Sequence, residues 1–296
     1  MNLFGLHHIS AIASSRDDCL DFYGGLLGLG LVAEHDSGAV AFSADEDGGG
    51  GILSFAATPG AARGVPGRGL VHRLQWSVTG PQALEHWRRR LEDAGITVTA
   101  WLNGAGDPLA LRFADPDGLE HELTLPSAFV LGSPSGKPKT NADQETAICA
   151  LTGVRAYAAA SVQSGDLLAG RLGFESCGEG AWRVGSGPEA VRYEADAPPP
   201  SRPVEGAGTV RHVAWSCRPG HERAWRQRVI GMGATVSRVI ECDGYSCFFF
   251  REPDGVLFGV ATQRRGAIAP AQLSFEPPRS AIPPRIARPI GILTTA

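Results

Sequence analysis

Apolar residues recur along the chain in two alternating schemes, and the same succession of schemes is met twice in each half. Val71–Val78 and Val210–Cys217 are short apolar-rich runs bounded by polar turns, the pattern of β-strands. After the first, Pro81 opens a stretch in which Leu84, Trp87 and Leu91 fall at helical spacing; after the second, Glu222 to Val229 carries Trp225 in the corresponding place. Both helices are predicted to stop at glycine, at Gly95 and at Gly231 to Gly233. Further on, Leu111 to Leu123 matches Phe249 to Val260, each a pair of strand-like runs around Pro-Asp-Gly. Proline fixes φ and glycine accepts positive φ, so each segment is predicted to be a hairpin. The openings of the halves match too: Leu6–Ala13, a helix over Asp17–Leu27 and Gly28, against Val154–Ala160, a helix over Asp166–Leu172 and Gly173.

The repeat amounts to two βαβββ modules per half and four in all. The fold expected is α+β, with curved sheets forming open barrels and the helices outside. Gly132 to Thr146, rich in Pro, Ser, Gly, Lys and Asn, is read as a linker. The expected units are therefore an N-terminal domain over 1–131, a linker over 132–146, a C-terminal domain over 147–265 and a proline-rich tail over 266–296 that packs along the surface. Ala197–Pro203 is a stiff surface loop, and the glycines of Asp47–Gly51 lack the Lys-Ser/Thr and helix of a phosphate loop, so they are read as a flexible turn.

Composition narrows the function classes. A net charge of −4 over 296 residues argues against a nucleic-acid partner. There is no apolar run long enough for a membrane span and no leader-like N-terminus, which points to a cytoplasmic protein. The six cysteines form no CxxC pair and are expected to be reduced, with Cys242 and Cys247 buried and inert.

Three segments together carry a resemblance: Gly5–Ser10 with its His-His pair, Val210–Trp215, and Phe250–Phe258. They are similar to signature segments of the ring-cleaving dioxygenase branch of the vicinal oxygen chelate superfamily, whose other members include glyoxalases and bleomycin-resistance proteins. The similarity runs from about residue 4 to about residue 265, and Leu273–Pro278 resembles a closing segment of that branch. The resemblance implies an oxidoreductase of aromatic-compound catabolism acting on an aromatic diol or hydroquinone-like molecule. It implies Fe(II) or Mn(II) on two histidines and one carboxylate, with open positions for substrate and dioxygen. It matches His8 and His212 to the two histidine ligands, with the first strand of the chain completing a cup in the second half. It places Ser10, Cys242, Phe249 and Gly259 in the substrate pocket, and the superfamily often forms homodimers.

The chain departs from that pattern at three places. The carboxylate position, four residues after the hairpin glycine, is Gly259; an Arg and a Tyr usual on the preceding strand match Cys242 and Phe249. In the first half the carboxylate position is Glu122, but its companions there, Arg73 and Ala156, are not ligands. Three outcomes stay open: a metal held by two histidines with water or an anion, an acid supplied by Glu241, Asp243 or Glu252, or a metal-free cup that sequesters a small aromatic molecule. Glu252, lying in a turn, is expected to face solvent. A glyoxalase-type isomerase or lyase is a further alternative, needing a Glu base that the second-half site does not offer at the expected place.

The remaining histidines and aromatics have plainer readings. Alternation on a strand turns His7 away from His8. It likewise turns His72 and His121 from the cavity side, and sets Phe249 on the cavity face with Phe248 and Phe250 opposite. His35, His86 and His221 are expected at the surface, and Trp76, Trp87, Trp215 and Trp225 in packing contacts.

Overall fold

A computed structural model describes residues 1–45, 51–125, 145–186, 190–242, 244–262 and 282–284. The glycine-rich turn, most of the 132–146 linker and most of the tail, including Leu273–Pro278, lie outside the described residues, as does Asp243.

Four copies of one module make up the fold, which is α+β. The first has β1 (Leu6–Ala13), helix α1 (Arg16–Cys19, continued in wider turns over Leu20–Leu26), β2 (Gly30–Glu34), β3 (Ala39–Ser43) and β4 (Ile52–Ala57). The second has β5 (Val71–Val78), α2 (Pro81–Asp93), β6 (Thr99–Leu102), β7 (Pro108–Ala114) and β8 (Glu120–Thr124). The third has β9 (Ile148–Tyr157), α3 (Val162–Gly165, continued over Asp166–Arg171), β10 (Glu175–Gly178), β11 (Ala181–Val184) and β12 (Val191–Asp196). The fourth has β13 (Thr209–Cys217), α4 (Glu222–Ile230), β14 (Ile240–Cys242), β15 (Tyr245–Arg251) and β16 (Leu257–Thr262). Within each module the first strand runs parallel to the last, and the others are antiparallel.

The first and fourth modules share one sheet, and the second and third share the other. One eight-stranded sheet runs β14-β15-β16-β13-β1-β4-β3-β2 and the other β10-β11-β12-β9-β5-β8-β7-β6. The seams are the antiparallel pairs β1–β13 and β5–β9. The chain segments before and after the linker therefore each contribute half of both sheets.

Local chemistry explains the elements. α2 begins with proline just inside its N-terminus and buries Ala83, Leu84, Trp87 and Leu91, one stripe at helical spacing. Both Pro-Asp-Gly hairpins place glycine in the left-handed region, Gly118 at φ 90° and Gly255 at φ 102°. The hairpins also tie modules together. Asp117 accepts from Ser14 N and Oγ at 2.8 and 2.6 Å, and Asp254 accepts from Ser164 Oγ at 2.8 Å.

Glu252 does not face solvent. It is 2% exposed and accepts from Val256 N, Asp254 N and Ser164 Oγ at 2.9, 3.0 and 3.2 Å. Burial pushes its carboxyl up to about 7. The packing of α3 against the turn buries it, a contact between modules that the turn's own sequence does not announce.

Trp76, Trp87, Trp215 and Trp225 all lie in the main apolar core. His121 joins them: its Nδ1 accepts from Trp76 Nε1 at 3.1 Å, which leaves the proton on Nε2 for Tyr23 Oη at 2.9 Å. Tyr23 then donates to Asp115 at 2.8 Å.

Candidate active site in the cup of the first sheet

The seam between β1 and β13 brings His8 and His212 together from 204 residues apart, Nε2 to Nε2 at 2.8 Å. Both are almost fully buried, and their rings meet at right angles. Beside them lies a cluster of buried apolar residues that includes Val32, Ala33, Ala41, Ala214, Cys247 and Phe249, with Cys242 and Ile282 packed against it; Ala214 is paired in register with His8 and Phe249 packs its ring on His212. Ser10 follows His8 on the same strand, is paired in register with His212 and is fully buried.

His7 belongs to this cluster, against the expectation from strand alternation. The register of β1 against β13 slips between Leu6 and His8. Such a bulge breaks the two-residue period. His7 Nδ1 lies 2.8 Å from His8 Nδ1, and its ring packs on Tyr245 with centroids 4.8 Å apart. Tyr245, which the sequence did not single out, thus brings a phenol ring to the cup wall and lies 6.0 Å from His8 between centroids.

The three imidazoles form a directional chain. A neutral ring has one donor and one acceptor nitrogen. Burial, with Arg211 and His7 nearby, pushes His212 down to about 3, so it is neutral. Its Nδ1 is buried with no hydrogen-bond partner among the described residues. His8 touches a neighbouring imidazole through each of its ring nitrogens, donating through one and accepting through the other, so the tautomers of the three rings are set together.

A metal would use both Nε2 lone pairs. Two imidazoles bound at about 2.1 Å and at roughly right angles sit about 3.0 Å apart, a few tenths of an ångström from the observed spacing. His8 is already oriented for that role by His7, the support a ligating histidine usually receives. The pair fits two ligand positions. The third is closed: a Cβ on Gly259 would lie 3.1 Å from both Ala214 Cβ and Phe249 Cε1. Phe249 pairs with Gly259 in register and sets its ring 5.0 Å from that of His212. The ring thus occupies space a carboxylate side chain would enter.

Neither of the described acids considered as substitutes fills the gap. Glu252 is held in its turn, and Glu241 is exposed. No group of three or more metal-binding side chains occurs among the described residues.

The second sheet has lost this chemistry differently. Its register sets Glu122 opposite Gln75 and Arg112, the counterpart of Gly259 opposite Ala214 and Phe249. The counterpart of His8 is then Gly153, opposite Gln75, and not Ala156 as read from the sequence; β9 begins at Ile148, six residues before Val154, and its pairing with β5 sets the match three residues upstream. This cup is filled with ion pairs. Arg73 donates to Glu120 at 2.7 Å and contacts Glu122 at 3.4 Å, Gln75 donates to Glu122 at 3.0 Å, and Arg155 bridges Asp196 at 2.6 Å. His72 closes the network on Asp196 at 2.9 Å.

A family model described as the Glyoxalase/Bleomycin resistance protein/Dioxygenase superfamily matches the chain from the strand that carries the two histidines to the end of the second module. The match covers residues 5–123. The rest of the chain repeats the same module and contributes half of each sheet.

Relatives span nearly the whole length. The "Putative ring-cleaving dioxygenase MhqO" of Bacillus subtilis (strain 168) is 29% identical over 283 residues, covering 88% of this chain and 85% of that protein. "Putative ring-cleaving dioxygenase MhqA" of the same organism is 28% identical, over 96% of this chain and 95% of that protein. A crystal structure described as a putative dioxygenase from Bacillus subtilis superposes with a TM-score of 0.75 at 27% identity, covering 90% of this chain and 87% of that one. Glyoxalase I from Zea mays shares the fold, with a TM-score of 0.60 at 12% identity over 87% of this chain and 92% of that one. No helix among the described residues is long and apolar enough to cross a membrane.

Proposed function

We propose that the chain is a ring-cleaving-dioxygenase-like oxidoreductase that takes an aromatic diol or hydroquinone-like molecule in the cup of the first sheet. The observation that carries this reading is the convergence of His8 and His212 Nε2 at 2.8 Å within an apolar lining. The names of the Bacillus subtilis relatives support it. Fe(II) or Mn(II) would be held by His8 and His212, and would supply a Lewis-acid centre with positions open to substrate oxygens and dioxygen. The protein's own part is to orient and to exclude water. Phe249 and the alanines give an aromatic ring an apolar surface to lie on. The paired imidazoles give a phenolic hydroxyl a hydrogen-bonding partner inside the apolar cup. His7, hydrogen-bonded to His8 Nδ1, couples its own tautomer to that of His8.

The packing of Phe249 over Gly259 favours a second reading, a metal-free protein that sequesters the same kind of molecule. One experiment separates the two. Anaerobic titration of the purified chain with Fe(II) and Mn(II) is followed by admission of oxygen with a hydroquinone present. Saturable metal binding lost in His8→Ala and His212→Ala, with oxygen uptake and ring-opened product, supports the enzyme. Hydroquinone binding that metal does not alter, without oxygen uptake, overturns it in favour of the sequestering protein.

A further inference from the structure

Two thiols in the wall of the cup are placed for chemistry that the histidine site does not use. Cys242 ends β14 and Cys247 lies on β15, the strand paired with it, and their Sγ atoms are 3.9 Å apart. In register Cys242 faces Tyr245 and Cys247 faces Ile240, so the thiols meet on the diagonal of a twisted hairpin. Cys247 is 1% exposed, while Cys242 is half-buried and neither is in a disulfide.

We propose that Cys242 and Cys247 are a redox-active dithiol, oxidised by a hydroperoxide to a disulfide that joins β14 to β15 beside the cup. The division of labour follows from exposure and hydrogen bonding. Cys242, the more accessible sulfur, is the attacking group. Cys247 keeps its proton: the hydrogen bond to Cys242, followed by burial, pushes its thiol far up. Cys242 therefore attacks first and Cys247 resolves.

The Cys242 thiolate attacks the O–O bond and takes one oxygen as a sulfenic acid; the other oxygen leaves as water, or as an alcohol from an organic peroxide. The sulfur of Cys247 then displaces water from the sulfenic acid. Two thiols lose two hydrogens and two electrons, and hydrogen peroxide becomes two waters. The sulfurs must close to about 2.0 Å. The moving part is β14, three residues long at the edge of the sheet.

The test uses the full chain. Arg238 and Arg251 bracket both cysteines, so trypsin releases Val239–Arg251 with the pair intact. After treatment with hydrogen peroxide and alkylation of the remaining thiols, this peptide is expected to lack two hydrogens and any alkyl group. It should form roughly tenfold faster than Cys177, exposed and alone, loses its alkylation. In Cys247→Ser, a sulfenic acid should accumulate at Cys242 and be trapped by dimedone. The proposal is overturned if Val239–Arg251 stays doubly alkylated while Cys177 oxidises. Sulfinic acid at Cys242 with Cys247 intact also overturns it.

Discussion

Gly259→Glu would restore the missing carboxylate, and the structure predicts that this substitution alone fails. A Cβ at 259 lies 3.1 Å from Ala214 Cβ and from Phe249 Cε1, closer than ordinary contact, with Phe249 Cδ1 at 3.3 Å. Forcing extra atoms into a packed site costs about 1–3 kcal/mol. The carboxyl would also arrive without a donor, adding roughly 1–3 kcal/mol for an unsatisfied buried polar group. At about 2–4 °C per kcal/mol for a chain somewhat smaller than this one, the melting temperature of Gly259→Glu should fall by roughly 5–15 °C in the absence of metal.

Phe249→Ala alone should also destabilise, by about 3–5 kcal/mol, through the cavity it leaves. In the double variant the new side chain enters the space the ring vacates. The two penalties should then fall short of additive by about 1–3 kcal/mol, the coupling expected of residues in contact. Only the double variant offers three ligands with room to close on a metal. Mn(II) at about a hundred times its dissociation constant should stabilise it by about 2.7 kcal/mol. Differential scanning fluorimetry of the four proteins with and without Mn(II), checked by calorimetric titration, reads each quantity. The reasoning fails if Gly259→Glu melts with the wild type. It fails equally if the single variant binds Mn(II) as tightly as the double, since Phe249 would then be no obstacle.

Other outcomes follow from the same geometry. Arg73→Ala strips the cation from Glu122 in the second cup, where Arg73 is 7% exposed, and should cost about 3–5 kcal/mol in chemical denaturation; Arg112, 3.6 Å from Glu122, sets the low end of that range. His212 is pushed down to about 3, below its unfolded value near 6.5. Its contribution to stability is therefore complete above pH 6.5 and is lost as pH falls toward 3, at a slope up to about 1.4 kcal/mol per pH unit. His212→Phe should flatten that part of the acid-denaturation profile. His7→Phe removes the hydrogen bond between His7 Nδ1 and His8 Nδ1. Its expected signature is a redistribution of His8 tautomers in nitrogen-15 spectra of the metal-free protein, which a purely packing role for His7 would leave unmoved.

What could be read in the sequence was local or repeated. Pro-Asp-Gly has one cheap backbone solution, and the stripe of Leu84, Trp87 and Leu91 has one burial solution, so the hairpins and helices follow from nearest neighbours. The repeat then carries register from one module to another, and this points to Gly259 as the position where the resemblance expects a carboxylate. The errors share a cause. His7, Glu252 and the counterpart of His8 were placed by extending a local rule across a point where another module intervenes. The slip in β1 arises where it meets β13, and it turns His7 into the cup. Glu252 is buried because Ser164, 88 residues away, supplies a donor. Gly153 takes the His8 position because the pairing of β9 with β5 sets it opposite Gln75. Alternation and turn exposure describe a strand or a hairpin in isolation, whereas the seams join modules distant in the chain. The residues that distinguish this cup, His7, Tyr245 and the Phe249–Gly259 pair, all lie on the strands that meet at one seam or on the hairpin beside it. Substitutions there should alter the site's chemistry while the four-module scaffold stands, because most of the apolar core lies outside the cup's lining.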